Sequence, residues 1–337
     1  MSNIKHQSGV VLIIALLIAA LVASIAVAFA ENFQLQGARS ENRWHGGQAQ
    51  AYLLGAESLA RVLLEDDIQS NATDHLNEDW AKKVAPFAIE GGWLSARIED
   101  AQGRFNLNAL AGKVDSPNIE DLSAHDPVRF TVAQKRFIRL LQTFEAVPLS
   151  LDEAISVTEA VIDWLDQDND TTGFSGAESD YYASLDTPYR IANRRFVDVS
   201  ELRLVRHMSA ALYQALLPYV VVLPGTQGLN INTASLKLLR TLQSANELEP
   251  LSTYDAEQLI LAREGSYYRS VKAFLNSEEG RQLAESTGNL QTEGLTVASG
   301  YFVLYAEVSL VRQRRQLTSV LVRNGESVTP VLRRNYW

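Results

Sequence analysis

The sequence predicts an α+β fold, in which a long N-terminal helix packs on an antiparallel sheet and a large all-α domain is inserted between strands of that sheet. Three observations support this prediction. An apolar segment near the start continues as a helical pattern, without proline, to about residue 66. Strand patterns occur from residue 93 and again from residue 301. Residues 107–291 carry mostly helical patterns, and strands that are close in space need not be close in sequence.

Residues 10–30 form an uncharged apolar run that, as a helix, is about 31 Å long and matches the hydrocarbon core of a bilayer. Lys5 and His6 precede this run and Glu31 follows it. By the positive-inside rule, the N-terminus is then cytoplasmic and the rest of the chain lies across the membrane. We therefore expect a single-pass membrane protein with an exported body.

Three interpretations of this run remain open. Ala28-Phe29-Ala30 before Glu31 fits a cleaved secretory signal, although the apolar core is longer than the roughly 7 to 15 residues of such signals. An uncleaved anchor fits the length equally well. The third interpretation is a short polar leader that ends at Gly9, with Val10 as the first residue of the mature chain. The three interpretations predict different mature N-termini.

A polar leader that ends in glycine directly before an apolar run resembles the prepilin signal of type IV pilins and type II secretion pseudopilins. This resemblance implies cleavage after Gly9 by prepilin peptidase, on the cytoplasmic side. Pilins usually carry a glutamate at the fifth mature position, which here is Ile14. A carboxylate at that depth costs about 3 kcal/mol and is tolerated when it pairs with the terminal amine of a neighbouring subunit. Among pseudopilins, its absence is typical of the K-type minor subunit at the tip.

Composition restricts the function classes further. The 337 residues are 46% hydrophobic and 21% charged, which is enough for one large or two ordinary globular domains beyond the anchor. The formal net charge of −10 argues against non-specific nucleic-acid binding, which draws on clustered lysine and arginine. The chain has no cysteine, so its stability has to come from packing or from a bound ion.

Beyond the apolar run, residues 31–66 keep a wide apolar helical face. Gly37, Gly46 and Gly47 weaken this segment by about 1 kcal/mol each relative to alanine. We expect one helix of about 55 residues whose second half lies against the folded body. The alternative is two helices separated near Gly46-Gly47.

The strand patterns lie in two groups. Residues 93–99 predict a strand, 100–103 a turn and 104–108 its returning partner. Near the other end, residues 301–311, 316–323 and 328–333 predict an antiparallel meander with a turn at Asn324-Gly325. Both groups are expected to share one sheet.

A faint internal repeat marks the segment between these groups. Asn106-Leu107-Asn108 is echoed by Asn230-Ile231-Asn232, and residues 193–202 are echoed by residues 265–274. Each Asn-x-Asn can cap a following helix, because its side chain accepts from free amides of the first turn. The repeat predicts two related helical lobes, of which the first is longer by roughly 50 residues.

The extra segment contains an acidic loop. Its carboxylates lie on both sides of a reversal at Gly173 and Gly176, and they are Asp166, Asp168, Asp170, Glu178 and Asp180. Such spacing lets a loop surround Ca²⁺ with oxygen ligands, whereas without an ion the carboxylates would repel one another. The loop lacks EF-hand spacing, because Thr171 stands where that motif has glycine. A solvated acidic loop and a catalytic carboxylate pair are the alternatives.

Several motifs resemble type II secretion protein K, and the resemblance covers nearly the whole chain. They are Asp163-Trp164, the acidic loop, and residues 176–182, 188–193, 200–202 and 230–234. The resemblance implies a pilin-like α/β domain of residues 31–106 and 292–337 that holds an inserted helical domain of residues 107–291. It also implies a Ca²⁺ ion bound by Asp166, Asp168, Glu178 and Asp180, with Asp170 as a further ligand. Asp163 is expected to be a helix residue that forms hydrogen bonds nearby.

The same resemblance implies a non-enzymatic subunit of the inner membrane with a periplasmic body. Its expected partners are the I-type and J-type minor pseudopilins in a tip complex, the major pseudopilin, the prepilin peptidase and the inner-membrane assembly platform. Such a subunit helps to initiate the pseudopilus that exports folded proteins across the outer membrane.

Two other function classes are weaker alternatives. The segment 230–234 also looks like a helix-hairpin-helix DNA module, but residues 264–267 hold one glycine where hairpin amides are needed. An anchored calcium-dependent hydrolase would need an activated nucleophile or a base. None of the histidines has metal-ligand spacing such as H-E-x-x-H, and they are His6, His45, His75, His125 and His207.

Overall fold

The computed structural model describes residues 8–114, 122–288, 290–310, 313–325 and 331–336. It begins with α1, Ser8–Ser70, a single α-helix of 63 residues. The prediction of one long helix is confirmed, and the alternative of two helices broken at Gly46-Gly47 is wrong. The first part of α1 is long and apolar enough to cross a membrane, and no other part of the described chain covers it.

The sheet has five antiparallel strands, numbered in chain order and arranged as β1-β2-β7-β8-β9. Their bounds are Phe87–Ile89 for β1, Gly92–Asp100 for β2, Tyr301–Leu310 for β7, Gln313–Val322 for β8 and Val331–Tyr336 for β9. The predicted strand at 93–99 pairs with the described part, residues 301–310, of the predicted strand at 301–311, so one sheet joins the two ends of the chain. Of the predicted last strand, only residues 331–333 are described, and they lie in β9.

The prediction that residues 104–108 return alongside 93–99 is wrong. A 3₁₀ turn at Ala101–Gly103, in which Asp100 Oδ1 accepts from Gln102 N at 2.8 Å, directs the chain away from the sheet. The next strand, β3 (Phe105–Asn106), instead pairs in parallel with β4 (Val220–Val221) in the helical region. β7 takes the place beside β2, because it offers ten residues that alternate between the two faces of the sheet.

The second half of α1 covers one face of this sheet. Alanine and leucine side chains at helical spacing are buried there: Ala49, Leu53, Ala56, Ala60 and Leu64. They pack in one core with alternate side chains of β7, from Phe302 to Leu310. Glu57 is buried in the same face, where its Oε2 accepts from Ser319 Oγ at 2.5 Å and from Arg334 Nε at 3.0 Å. This pair of contacts ties α1 to β8 and β9.

In the sequence, the helical region follows β2 and precedes β7. Its helices are α2 (Val132–Leu141), α3 (Leu151–Leu165), α4 (Ser179–Ala183), α5 (Ala210–Leu216), α6 (Leu236–Leu239), α7 (Thr253–Gly265), α8 (Val271–Asn276) and α9 (Glu278–Thr287). A second parallel strand pair joins β5 (Leu229–Asn230) to β6 (Leu295–Thr296). One apolar core, which includes Phe137 and Trp164, runs through the region.

The two Asn-x-Asn motifs make matching hydrogen bonds in the two halves of this region. Asn108 Oδ1 accepts from Phe196 N at 2.8 Å, and its Nδ2 donates to Phe196 O at 3.1 Å. Asn232 makes the same two bonds with the backbone of Tyr268, each at 2.9 Å. Both asparagines are buried, so each half is held by the same bidentate contact between distant segments.

Buried cations of α2 join the two halves. Arg139 is 1% exposed and donates to the backbone oxygens of Thr241, Ser244 and Glu247. Arg136 donates in the same way to the loop at 291–294. Burial lowers the pKa of each guanidinium to about 10, because carbonyl oxygens solvate the charge without neutralising it. The helix that follows α2 carries the acidic loop.

Candidate metal centre

Helix α3 positions the start of the acidic loop. It begins with a capping box, in which Ser150 Oγ accepts from Glu153 N and the Glu153 side chain accepts from Ser150 N. It ends at Leu165, so Asp166 is the first residue of the loop. On its buried face, Trp164 packs edge-on against Tyr182 of α4, with ring centroids 5.4 Å apart. The two helices that flank the loop are therefore fixed to each other by an aromatic contact.

Two carboxylates of α3 hold the loop in place. Glu159 Oε2 accepts from the backbone N–H of Phe174 at 3.1 Å and of Ser175 at 2.9 Å. One turn later, Asp163 Oδ1 accepts from Thr172 N at 2.9 Å. Asp163 is thus a helix residue that forms hydrogen bonds nearby, as its position on the apolar helix face predicts. Arg129 neutralises part of this buried charge, with Nη2 3.3 Å from Glu159 Oε1.

Glycine is required at both ends of the reversal. Gly173 has φ of +60°, a left-handed conformation that residues with a Cβ adopt at a cost. A Cβ on Gly176 would lie 2.2 Å from Asp163 Oδ2 and 2.6 Å from Thr172 O. The close approach of backbone to carboxylate at Gly176 turns the chain back, so that Glu178 faces the end of α3.

The reversal brings together three of the five predicted ligands. Asp166, Asp168 and Glu178 each offer a carboxylate oxygen, and these oxygens lie within 4.8 Å of one another. Asp166 and Glu178 are buried, and Asp168 is half-buried. Asp170 and Asp180 are exposed and lie outside this group. The three clustered carboxylates come from both sides of the loop, as the spacing in the sequence predicts.

The chemistry of this group fits a hard divalent cation. Asp166 Oδ1, both carboxylate oxygens of Glu178 and Asp163 Oδ2 are buried and have no hydrogen-bond partner among the described residues. Burial, together with the charges of Asp163 and Asp166, raises the pKa of Glu178 to about 7. Burial and the charge of Asp168 raise the pKa of Asp166 to about 6. Carboxylate oxygens are the ligands that Ca²⁺ prefers, and these buried oxygens lack the hydrogen-bond donors that would otherwise satisfy them.

One cation of the protein already touches the group. The ammonium of Lys113 pairs with Asp168 Oδ2 and lies 3.6 Å from Asp166 Oδ2. This contact lowers the pKa of the Asp168 carboxyl and raises the pKa of Lys113. Asn193, which has φ of +42°, donates from Nδ2 to Asp168 O at 3.0 Å and so fixes the backbone on the other side.

Comparisons with known proteins agree with this architecture. A family model described as type II secretion system protein K matches residues 103–225, and a second model of the same description matches residues 229–298. The chain belongs to the type II secretion system protein K family. The family member of Pseudomonas aeruginosa is 36% identical over 98% of this chain and 93% of its own length. That of Aeromonas hydrophila is 33% identical over 99% of this chain and 98% of its own length.

A solved structure shows the same fold. A chain in the crystal structure of the GspK-GspI-GspJ complex, from the type II secretion system of enterotoxigenic Escherichia coli, is similar with a TM-score of 0.73 and 27% identity. The match covers 89% of this chain and 99% of that chain. The resemblance to protein K and the predicted fold class are therefore confirmed. The acidic loop lies within the first matched region, at residues 103–225.

A second acidic group in this protein K chain has a different character. Asp67, Asp74 and Glu78 also place carboxylate oxygens within 4.8 Å of one another. These carboxylates have donors within the protein. Arg323 pairs with Asp67 and Asp74, and Trp80 Nε1 donates to Glu78 Oε2 at 2.6 Å. These ion pairs join the end of α1 to the segment after β8, so the group stabilises the fold.

Sequence reasoning missed three residues around the candidate centre. Glu159 was detectable, because it is a charged residue on the apolar stripe of α3, where only a partnered carboxylate is tolerated. Lys113 gave no such signal, and Asn193 belonged to the motif at 188–193 without any indication that it contacts the loop. Each lies in an irregular segment and reaches Asp168 only through the tertiary fold.

Proposed function

We propose that this protein is a non-enzymatic minor pseudopilin that caps the tip of the type II secretion pseudopilus and helps to initiate its assembly. The observation that carries this proposal is the match of nearly the whole chain to a chain of the GspK-GspI-GspJ complex. We infer that this protein joins the corresponding I-type and J-type subunits, and works with the major pseudopilin and the inner-membrane assembly platform to export folded periplasmic proteins.

The membrane segment supports a terminal position. From Val10 to Ala30 the helix carries no charged residue, and Ile14 occupies the fifth position after Gly9. A subunit without a carboxylate at this depth has no buried charge that requires the amine of a neighbour. It can therefore occupy a place in the filament where a pilin with glutamate would leave that charge unpaired.

Complex formation tests this proposal directly. The full chain should co-purify in detergent with the I-type and J-type subunits of the same organism, and the three should elute together from a sizing column. Ile14→Glu should shift the subunit from the tip to internal positions in assembled filaments, as seen by labelled-subunit microscopy, with Ile18→Leu as the matched control. Failure to form the ternary complex would refute the assignment to the tip.

We also propose that prepilin peptidase cleaves after Gly9, with the N-terminus cytoplasmic and the body periplasmic. The long apolar part of α1 supports an anchor that is retained after cleavage. Mass spectrometry of the protein from membranes should give a mature chain that begins at Val10, and Gly9→Val should leave the leader attached. A soluble product that begins at Glu31 would contradict this proposal.

We propose further that Ca²⁺ binds at the end of α3, held by Asp166, Asp168 and Glu178, with Asp170 and Asp180 as outer ligands. The unpartnered buried oxygens of Asp166 and Glu178 support this site. The ion would supply positive charge that offsets the mutual repulsion of the carboxylates. By linkage, calcium at about 100 times its Kd stabilises the folded state by roughly 2.7 kcal/mol.

Chelation tests the calcium site in the full chain in detergent. Removing the ion should lower Tm and increase protease cleavage between residues 163 and 189, because the loop then loses the ion that joins its two sides. Asp168→Ala combined with Glu178→Ala should abolish both responses, whereas the exposed Asp186→Ala should leave them unchanged. Equal melting with calcium and with chelator would show that the loop is only a solvated surface.

A further inference from the structure

The contact between Lys113 and the carboxylate group is the starting point. Lys113 follows the 3₁₀ turn at Leu107–Ala111 and reaches the loop from 55 residues away in the sequence. Its ammonium pairs with Asp168 and lies 3.6 Å from Asp166 Oδ2. Among the described residues, it is the cation within ion-pair distance of Asp166, Asp168 or Glu178. The nearby Arg194 pairs instead with Glu201, at 3.3 Å.

The ammonium pairs with carboxylates that a divalent ion would use as ligands. Ca²⁺ binds carboxylate oxygens at about 2.3 to 2.6 Å, and it requires six to eight oxygen ligands. Asp168 Oδ1 accepts from Asp170 N at 3.1 Å, so Oδ2, which pairs with Lys113, is the oxygen left for an ion. Two cations that share one carboxylate oxygen also repel each other. Lys113 therefore has to move away before Asp168 completes the metal site.

The surroundings allow that movement. The Lys113 side chain is 64% exposed, whereas the Asp166 side chain is 6% exposed. A lysine stem has four rotatable bonds, and its ammonium is strongly hydrated in water. Burial fixes Asp166, and the contacts of Asp168 with Asp170 N and Asn193 hold the loop at Asp168, whereas the Lys113 side chain lies mostly in solvent. This asymmetry is the property expected of a competitor that is attached to the chain.

We propose that Lys113 is a tethered competing cation, which satisfies the carboxylates of the loop when calcium is scarce and is displaced when calcium binds, and so sets the calcium affinity of the site. This inference rests on the proposed calcium site. Only the molecules in which Lys113 is unpaired bind calcium. The apparent Kd is therefore the intrinsic Kd divided by the unpaired fraction. An ion pair with one exposed partner favours pairing by a ratio of about 1.4 to 5. Lys113 therefore weakens calcium binding about 2- to 6-fold.

Calorimetric titration of the full chain in detergent with calcium chloride, at fixed ionic strength after chelator treatment, tests this. Lys113→Met should bind calcium about 2- to 6-fold more tightly than the wild type. Lys113→Arg keeps a cation that pairs with carboxylates at least as well as lysine does, so it should bind calcium no more tightly than the wild type. Lys272→Met, at an exposed position on α8, is the matched control and should not change Kd.

Thermal unfolding gives a second readout. In chelator, Lys113→Met should melt at or below the wild-type Tm, because the carboxylates lose their counter-ion. In excess calcium the two Tm values should converge, because calcium then displaces the ion pair of the wild type. The calcium-induced rise in Tm is therefore larger in the variant. Calcium binding by the wild type with an unchanged or weaker Kd in Lys113→Met would overturn the role of Lys113 alone, and weaker binding would make it a residue that positions Asp168. No calcium binding by either protein would overturn the calcium site as well.

Discussion

Replacing Asn232 by alanine tests whether the bidentate contact to Tyr268 holds the second half of the helical region. Asn232 is 2% exposed, and both of its bonds to the Tyr268 backbone are 2.9 Å long. Alanine would leave one buried N–H and one buried C=O unpaired, at about 1 to 3 kcal/mol each, or about 2 to 6 kcal/mol in total. For a unit of 150 to 250 residues, this corresponds to a fall in Tm of roughly 4 to 24 °C.

The matching residue of the first half sharpens the experiment. Asn108 makes the same two bonds to Phe196 and a third to Leu223 O at 3.1 Å, so Asn108→Ala should cost at least as much. Asn246→Ala, at an exposed position, should change stability by less than about 0.5 kcal/mol. Unfolding by guanidinium, followed by circular dichroism of the full chain in detergent, measures all three variants. A loss below about 1 kcal/mol for both buried asparagines would refute the reasoning, since water would then be satisfying the freed groups.

Two further perturbations test the pilin-like part. Gly92→Ala should destabilise the sheet by at least about 3 kcal/mol, because its Cβ would lie 1.7 Å from Ser309 O, whereas Gly55→Ala on the open face of α1 should raise stability by about 1 kcal/mol. Equal thermal unfolding of the two alanine variants would contradict this packing. Burial opposes ionisation of Glu57, but hydrogen bonds from Arg334 and Ser319 lower its pKa below the ordinary 4.5. The contacts of ionised Glu57 with Arg334 and Ser319 stabilise the fold above pH 4.5, and this stabilisation is lost as the pH falls through the lower pKa of the folded state. The difference in free energy of unfolding between wild type and Glu57→Gln should therefore shrink in acid. A difference in free energy of unfolding that is constant from pH 7 to pH 3 would show that the charge of Glu57 does not stabilise the fold.

The sequence predicted the parts of the fold whose signal is local. Helix α1 and strands β2 and β7 were predictable, because apolar periodicity along a single segment indicates both the element and its buried face. The partner of β2 was not predictable from the turn at 100–103. A turn followed by a strand pattern is typical of a hairpin, but here the side chain of Asp100 binds Thr233 and Ser299 and leads the chain into the helical region. β1 has only three residues, too few for a periodic pattern.

The candidate centre shows the same division. Alternating carboxylates and two glycines were enough to predict that the two sides of the loop meet. They were not enough to separate Asp166 and Asp168 from the exposed Asp170, because burial depends on where the packing of Trp164 and Tyr182 places the loop. The contact of Lys113 with the loop was not predictable from any local pattern. Its contact crosses 55 residues of sequence and depends on the whole first half of the helical region.

The pairing of β2 with β7 has a consequence for the order in which the chain folds. Asp100 pairs with Phe302, so closing this contact brings together positions roughly 200 residues apart, at a chain-entropy cost of about 5 kcal/mol. A chain that is synthesised from its N-terminus presents β2 long before β7 emerges. The helical region, whose contacts are more local, is then able to fold first. Until Tyr301 and the residues after it arrive, the apolar face of α1 lacks its main cover, so the last strands complete the hydrophobic core of the pilin-like part.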